Sequence, residues 1–153
     1  MHTAAIALGS NLGNRAATLL SAVEALRQLG HVTAVSTFLD TDPVGYQDQP
    51  QFLNAAALLE TILPPQALLQ KLLSIEQQHG RDRSHGIAKG PRTLDLDLLL
   101  YDDQVLTTPE LTLPHPELHT RSFVLQPLAE IAPHMLHPTL HKTVQQLLTD
   151  LGT

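Results

Sequence analysis

Apolar and polar positions along the chain fall into short runs with two distinct periods. Thr3 to Leu8 is an apolar run ended by Gly9 and predicts a first strand. From Asn14 to Leu29 the apolar residues Leu19, Leu20, Val23, Leu26 and Leu29 recur at helical spacing, and Gly30 suits the left-handed residue that follows a helix. Val32 to Leu39, rich in Val, Thr and Phe, and Phe52 to Ile62 predict two further strands. The intervening TDPVGYQDQPQ carries too much Pro, Gly and Asp for regular structure. Pro64 and Pro65 open a second helix with Leu68, Leu69, Leu72, Ile75 and Glu76 along one side and Gly80 closing it, and Thr93 to Tyr101 predicts another strand. The order strand, helix, strand, strand, helix, strand predicts a ferredoxin-like α+β domain, a βαββαβ core with a mostly antiparallel sheet. The last third predicts extended pieces near Val105 and from Leu111 to Leu113, then helical stretches from Thr120 to Ile131 and from Lys142 to Leu151. These are expected to add edge strands and covering helices.

Length and composition narrow the reading. A chain of 153 residues without internal repeat or low-complexity tract is expected to form one domain over 1–153. Apolar residues make up 42% and charged ones 16%, the balance of a globular protein. The net charge of −6 disfavours nucleic acid and anionic membrane as partners unless positive charge is concentrated locally. With no cysteine, thiolate nucleophiles and cysteine metal sites are excluded. The start lacks a basic segment and a long apolar run, so a cytoplasmic address is expected, and no extra hydrophobic stripe asks for a partner, so a monomer is expected.

Local charge does change the picture. In the segment GPRTLDLDLLL, strand alternation sends Leu94, Leu96, Leu98 and Leu100 to one face and Thr93, Asp95, Asp97 and Leu99 to the other. Two carboxylates two residues apart on one face repel each other unless a cation lies between them, and Mg2+ commonly takes one or two carboxylates, leaving its other positions to water and phosphate oxygens. The bland alternative is a solvated strand face. Against it stands His79 to Arg92, where Arg81, Arg83, Lys89 and Arg92 face a single acid, Asp82, inside an acidic protein. Guanidinium groups grip phosphate with two prongs, and beside Asp95 and Asp97 this segment points to a polyphosphate. Ser84 to Gly90 has the composition of a loop able to close over a ligand. Glu76, on the apolar side of the second helix and near its end, calls for a compensating cation, with Arg81, Arg83 or Arg92 as candidates for a structural pair or a share in the site. GSNLGN lacks a Walker lysine and reads as a turn with an Asn14 cap. His134, His137 and His141 read as surface histidines, whereas His115 lies six residues before Arg121.

Four segments in this order, DPVGYQDQPQFLN, GRDR, GPRTLDLDLLL and PHPELHTRSFVLQPL, together resemble the 6-hydroxymethyl-7,8-dihydropterin pyrophosphokinases, and the resemblance runs from GSNLG to the last third, nearly the whole chain. The resemblance implies diphosphate transfer from ATP, as co-substrate, to the hydroxymethyl group of the reduced pterin, with release of AMP and two Mg2+ ions. By the same resemblance, Asp95 and Asp97 hold metal, and Arg81, Arg92, Asp95 and Asp97 are catalytic. Glu76, Arg81, Arg83, Arg92, Leu98, Thr112, His115 and Arg121 would surround the nucleotide. Thr41, Pro43, Val44, Phe52, Asn54, Asp95 and Phe123 would take the pterin, with Phe52 and Phe123 sandwiching its ring and Asn54 meeting its pyrimidine edge. Members often carry Arg-Trp just before GPR, where this chain has Ala88 and Lys89, and Glu110 and Pro116 stand where some relatives have Arg and Tyr. The competing functional reading is a ferredoxin-like module that binds a nucleotide or metabolite without turnover, which would not need both Asp95 and Asp97. A zinc-dependent hydrolase built on the histidines ranks below it.

Overall fold

The computed structural model describes residues 1–41, 51–80 and 93–152. Its centre is a long strand, β1 (His2–Ser10), paired antiparallel on one side with β4 (Phe52–Thr61) and on the other with β5 (Asp95–Tyr101). β2 (His31–Val35) and β3 (Leu39–Thr41) both pair with the outer side of β4, giving the order β2-β4-β1-β5. Helix α1 (Arg15–Arg27) follows β1 and α2 (Pro65–Gln78) follows β4. This is the ferredoxin-like arrangement expected from the element order.

The sheet is buried on both faces, which explains why β1 and β4 read as continuous Ala, Ile and Leu runs rather than strict alternations. Ala4, Ile6 and Leu8 of β1 and Leu96 and Leu98 of β5 pack with Leu19 and Leu26 of α1 and Leu68 and Leu72 of α2. On the opposite face Ala5, Ala56 and Leu99 pack under α3 (Ser122–Ile131) and α4 (Val144–Asp150), through Val124, Leu125, Leu128, Val144 and Leu147. Each fully buried leucine in these layers is worth about 1.5–3 kcal/mol of transfer free energy. The α1 stripe runs Leu19, Ala22, Val23, Leu26, at i, i+3, i+4 and i+7; Leu20, counted with it from the sequence, is 59% exposed.

Several expectations are corrected by contacts remote in sequence. The strand expected over Val32 to Leu39 is interrupted at Ser36, whose hydroxyl accepts the Ala56 amide at 2.9 Å. Thr37 then turns away to give its amide and hydroxyl to the Glu130 carboxylate of α3 at 3.0 and 2.8 Å. Gly30 is not left-handed: a Cβ there would lie 2.1 Å from the Glu60 carbonyl oxygen, so glycine is required by close approach of β4. Gly80, by contrast, has φ +87° and closes α2 as expected. In β5 a β-bulge opposite Ala5 and Ile6 leaves Leu99 extra, so Leu100 joins Leu99 under α3 and Tyr101 turns to the α1–α2 side. The expected alternation therefore holds to Leu99 and reverses beyond it.

The last third adds two small ribbons beside the main sheet. β6 (Leu106–Thr107) pairs with β7 (Thr112–Leu113), and β8 (Leu136–His137) pairs with β9 (Lys142–Thr143). The second ribbon, between α3 and α4, has no counterpart in the sequence reading, which took Lys142 and Thr143 as the start of a helix. A 3-10 turn over Leu118–Thr120 precedes α3, and a reciprocal cap between Thr143 and Gln146 opens α4 at Val144.

Candidate functional site

Register across the sheet assembles the site. Gly9 of β1 is paired with Asn54 on one side and Asp95 on the other, so the amide and the carboxylate project from one rung on one face. The next rung repeats the pattern with Ala56, Ala7 and Asp97. Between the polar flanks the floor therefore carries nothing taller than a methyl group. Asp95 and Asp97 are half-buried on the side of the sheet that α3 covers. This is the same-face placement that strand alternation predicts, and both side chains are partly covered, unlike the freely solvated face of the bland alternative.

One wall is built by β3 and β4. Thr41 pairs with Phe52 at the last rung, and the buried Asn54 amide donates from Nδ2 to the Thr41 hydroxyl. An ideal Cβ on Gly9 would stand 3.0 Å from Asn54 Oδ1 and 3.6 Å from Phe52 Cδ1, so both side chains lean over the glycine. The other wall comes from the start of α3, where Phe123, like Ala7, packs against the cluster that includes Ala56. The Arg121 guanidinium lies 5.6 Å from the centre of the Phe123 ring and pairs with Glu117 one turn earlier.

His115 links β5 to the segment that leads into α3. The chain passes through a cis Leu113–Pro114 peptide into His115, whose amide donates to the Leu99 carbonyl at 2.9 Å and so fixes it beside β5. Burial, and then the positive charge of Arg121, push its pKa below the ordinary histidine value, while Glu117 and Asp95 pull the other way. Its Nδ1 accepts the Glu117 amide at 3.1 Å, so the neutral ring carries its proton on Nε2, a ready donor to an anionic oxygen.

Other expected residues take different places. Leu98 is 3% exposed and faces the α1–α2 core, so from the carboxylate face only its main chain is accessible. Thr112 is half-buried in the β6–β7 ribbon. Glu76 is 1% exposed and accepts the Leu96 amide at 2.7 Å, binding the end of α2 to the edge strand that carries Asp95 and Asp97. The arginines expected to compensate it, Arg81, Arg83 and Arg92, lie outside the described residues, as do Pro43, Val44, Ala88 and Lys89. His137 is a correction: at 5% exposed it is buried, with Nδ1 accepting the Thr139 and Leu140 amides and its ring 6.4 Å from that of His119. Among the described residues no group of three or more His, Cys, Asp or Glu side chains could hold a metal ion. The sequence reading missed Gly9 and Glu117. The first looked like turn punctuation, and the only sign of the second was its spacing of four from Arg121.

Fold and site residues together define a ferredoxin-like domain whose sheet carries two carboxylates, an amide and an aromatic ring at one end, beside a second ring and a guanidinium from the start of α3. The 7,8-dihydro-6-hydroxymethylpterin-pyrophosphokinase (HPPK) family model matches residues 5–133, and the chain belongs to that family. It is 43% identical over 153 residues to the 2-amino-4-hydroxy-6-hydroxymethyldihydropteridine pyrophosphokinase of Haemophilus influenzae, covering 99% of this chain and 91% of that one. With the Bacillus subtilis protein of the same name it shares 49% over 132 residues, 85% of this chain and 78% of that one. The Plasmodium falciparum HPPK-DHPS structure with pteroate superposes with a TM-score of 0.78 at 15% identity, over 97% of this chain. This chain spans 42% of that longer one, and the likeness speaks for the fold.

Proposed function

We propose that the protein transfers the terminal diphosphate of ATP to the hydroxymethyl oxygen of 6-hydroxymethyl-7,8-dihydropterin and releases AMP. Family membership supports this reading, and one observation carries it: the Asn54–Gly9–Asp95 rung. Two strand spacings, about 10 Å, separate an amide suited to a pyrimidine edge from a carboxylate suited to the phosphate end, with a glycine floor between them. That is the reach of a two-ring heterocycle with a one-carbon arm.

In this reading Asn54, oriented by Thr41, meets the pyrimidine edge with acceptor and donor, while Phe52 and Phe123 flank the ring. Asp95 and Asp97 suit Mg2+ shared with phosphate oxygens and water, since they are half-buried on one face and leave the remaining positions to other ligands. Bound there, Mg2+, two ions in our proposal, neutralises triphosphate charge and acidifies the attacking hydroxyl. His115 offers its Nε2 proton to a phosphate oxygen, and Arg121, braced by Glu117 and the Phe123 ring, presents fixed positive charge. Arg81, Arg83 and Arg92 are assigned to the phosphates by resemblance, with Arg81 and Arg92 acting at the transferred group; Pro43 and Val44 are assigned to the pterin in the same way. Glu76, Leu98 and Thr112 complete the proposed surround of the nucleotide, Glu76 by holding β5 in place. Attack by the hydroxyl forms an oxygen–β-phosphorus bond as the bond from the β-phosphorus to the AMP oxygen breaks.

We further propose that the enzyme acts as a monomer in the cytoplasm. Among the described residues no helix is long and apolar enough to cross a membrane. The deciding experiment mixes protein, ATP, Mg2+ and the pterin and identifies the nucleotide formed. AMP that appears only with the pterin is the expected product. ADP, or ligand binding without any nucleotide product, would overturn the proposal, the latter in favour of a binding module.

A further inference from the structure

Thr41 and Phe52 form the last rung between β3 and β4, and both belong to the proposed pterin wall. β3 has only three residues, so three rungs hold it to the sheet. A second element reaches this rung. Arg15, the first residue of α1, donates from Nη1 to Asp40 Oδ1 at 2.7 Å and to the Gln51 carbonyl at 3.0 Å. Asp40 immediately precedes Thr41, and Gln51 immediately precedes Phe52. One guanidinium nitrogen thus joins the two strands beside the pair of residues that would contact the pterin.

An arginine at this place has no local justification. It follows the Asn14 cap at the positive end of the helix dipole, where a cation is disfavoured, and no acid stands in the first turn of α1 to offset it. Its side chain is 31% exposed, so core packing does not explain it either. What Arg15 does have is a geometry that fixes the separation of two strands at the wall of the site.

We infer that Arg15 is a positioning residue for the pterin: it sets the spacing of Thr41 and Phe52, and through Thr41 the orientation of the Asn54 amide. The inference rests on the proposed pterin site. It says nothing of the nucleotide side, because Asp95, His115 and Arg121 are held by β5 and by the segment around α3.

The test measures binding of 6-hydroxymethyl-7,8-dihydropterin by its fluorescence, in the presence of a non-hydrolysable ATP analogue, together with steady-state rates. Arg15→Ala should weaken pterin affinity about tenfold, the equivalent of roughly one well-placed hydrogen bond, with kcat and ATP affinity within about twofold of the parent. Asp40→Asn should act in the same direction, and the double variant should lose little more than either single one. Arg15→Lys should recover most of the affinity, since a single nitrogen makes both contacts. Pterin affinity within twofold of the parent in Arg15→Ala overturns the inference, as does an equal loss for ATP, or additive losses in the double variant. A parent protein that binds ATP but no pterin overturns the functional reading, and this inference with it.

Discussion

Gly9→Ala is a single-methyl probe of the rung at the heart of the site. The added Cβ would sit 3.0 Å from Asn54 Oδ1, closer than ordinary van der Waals contact, so the amide must retreat by a few tenths of an ångström. The other neighbours, Phe52 Cδ1 at 3.6 Å and the Leu53 carbonyl at 3.9 Å, are in ordinary contact and need not move. Asn54 cannot retreat freely, because it is 9% exposed and its Nδ2 is committed to Thr41. The strain therefore falls on the alignment of that amide with its ligand. Weakening one hydrogen bond costs about 1–1.5 kcal/mol, which corresponds to about a tenfold loss of pterin affinity. Folding stability should change little, since removing a strand glycine returns about 0.5–1 kcal/mol and offsets much of the crowding. Calorimetric titration of pterin and of an ATP analogue into parent and variant, with melting curves on both, separates the two effects. The reasoning is refuted if pterin affinity stays within twofold of the parent, or if ATP affinity falls in parallel. It also fails if Asn54→Ala weakens binding and Gly9→Ala adds its full effect on top, since both are argued to act through one amide.

Three further outcomes are expected. Asp97→Asn should reduce AMP formation to below about 1% of the parent while the melting temperature changes little, because the half-buried side chain keeps its size and loses the charge proposed to hold Mg2+; substantial residual turnover would remove Asp97 from the chemistry. Gly30→Ala forces a Cβ to 2.1 Å from a backbone oxygen of β4 and should cost about 3 kcal/mol, lowering the melting temperature by roughly 6–12 °C, and an unchanged melt would contradict the close approach. His137, whose pKa is pushed down by burial and by His119, stays neutral in the native state while the unfolded chain protonates near 6.5. Stability should thus be constant above that pH and fall as pH drops from about 6.5 through the lower native value. His137→Asn, which keeps an acceptor for the Thr139 and Leu140 amides, should flatten this acid limb, and parallel limbs in the two proteins would rule the assignment out.

The properties that local periodicity encodes were legible before any coordinates. Helix α1 with its Asn14 cap, α2 opened by Pro65 and closed by Gly80, the long strands β1, β4 and β5, and hence the ferredoxin-like order, all follow from spacing and punctuation within a few residues. So does the placement of Asp95 and Asp97 on one face, because strand alternation is a property of the backbone itself. What depends on partners far along the chain was not legible. Ser36 breaks a strand because Ala56 and Glu130 offer its neighbourhood better hydrogen bonds, and Leu100 changes face because β1 imposes a bulge on β5. Gly9 looked like the end of a strand until register set it between Asn54 and Asp95, and Arg15 looked like an ordinary helix residue until Asp40 and Gln51 arrived beside it. Backbone geometry repeats every two or 3.6 residues and leaves its mark in sequence. Register and packing across elements are settled only when the sheet closes, and the proposed pterin wall is built from those later contacts.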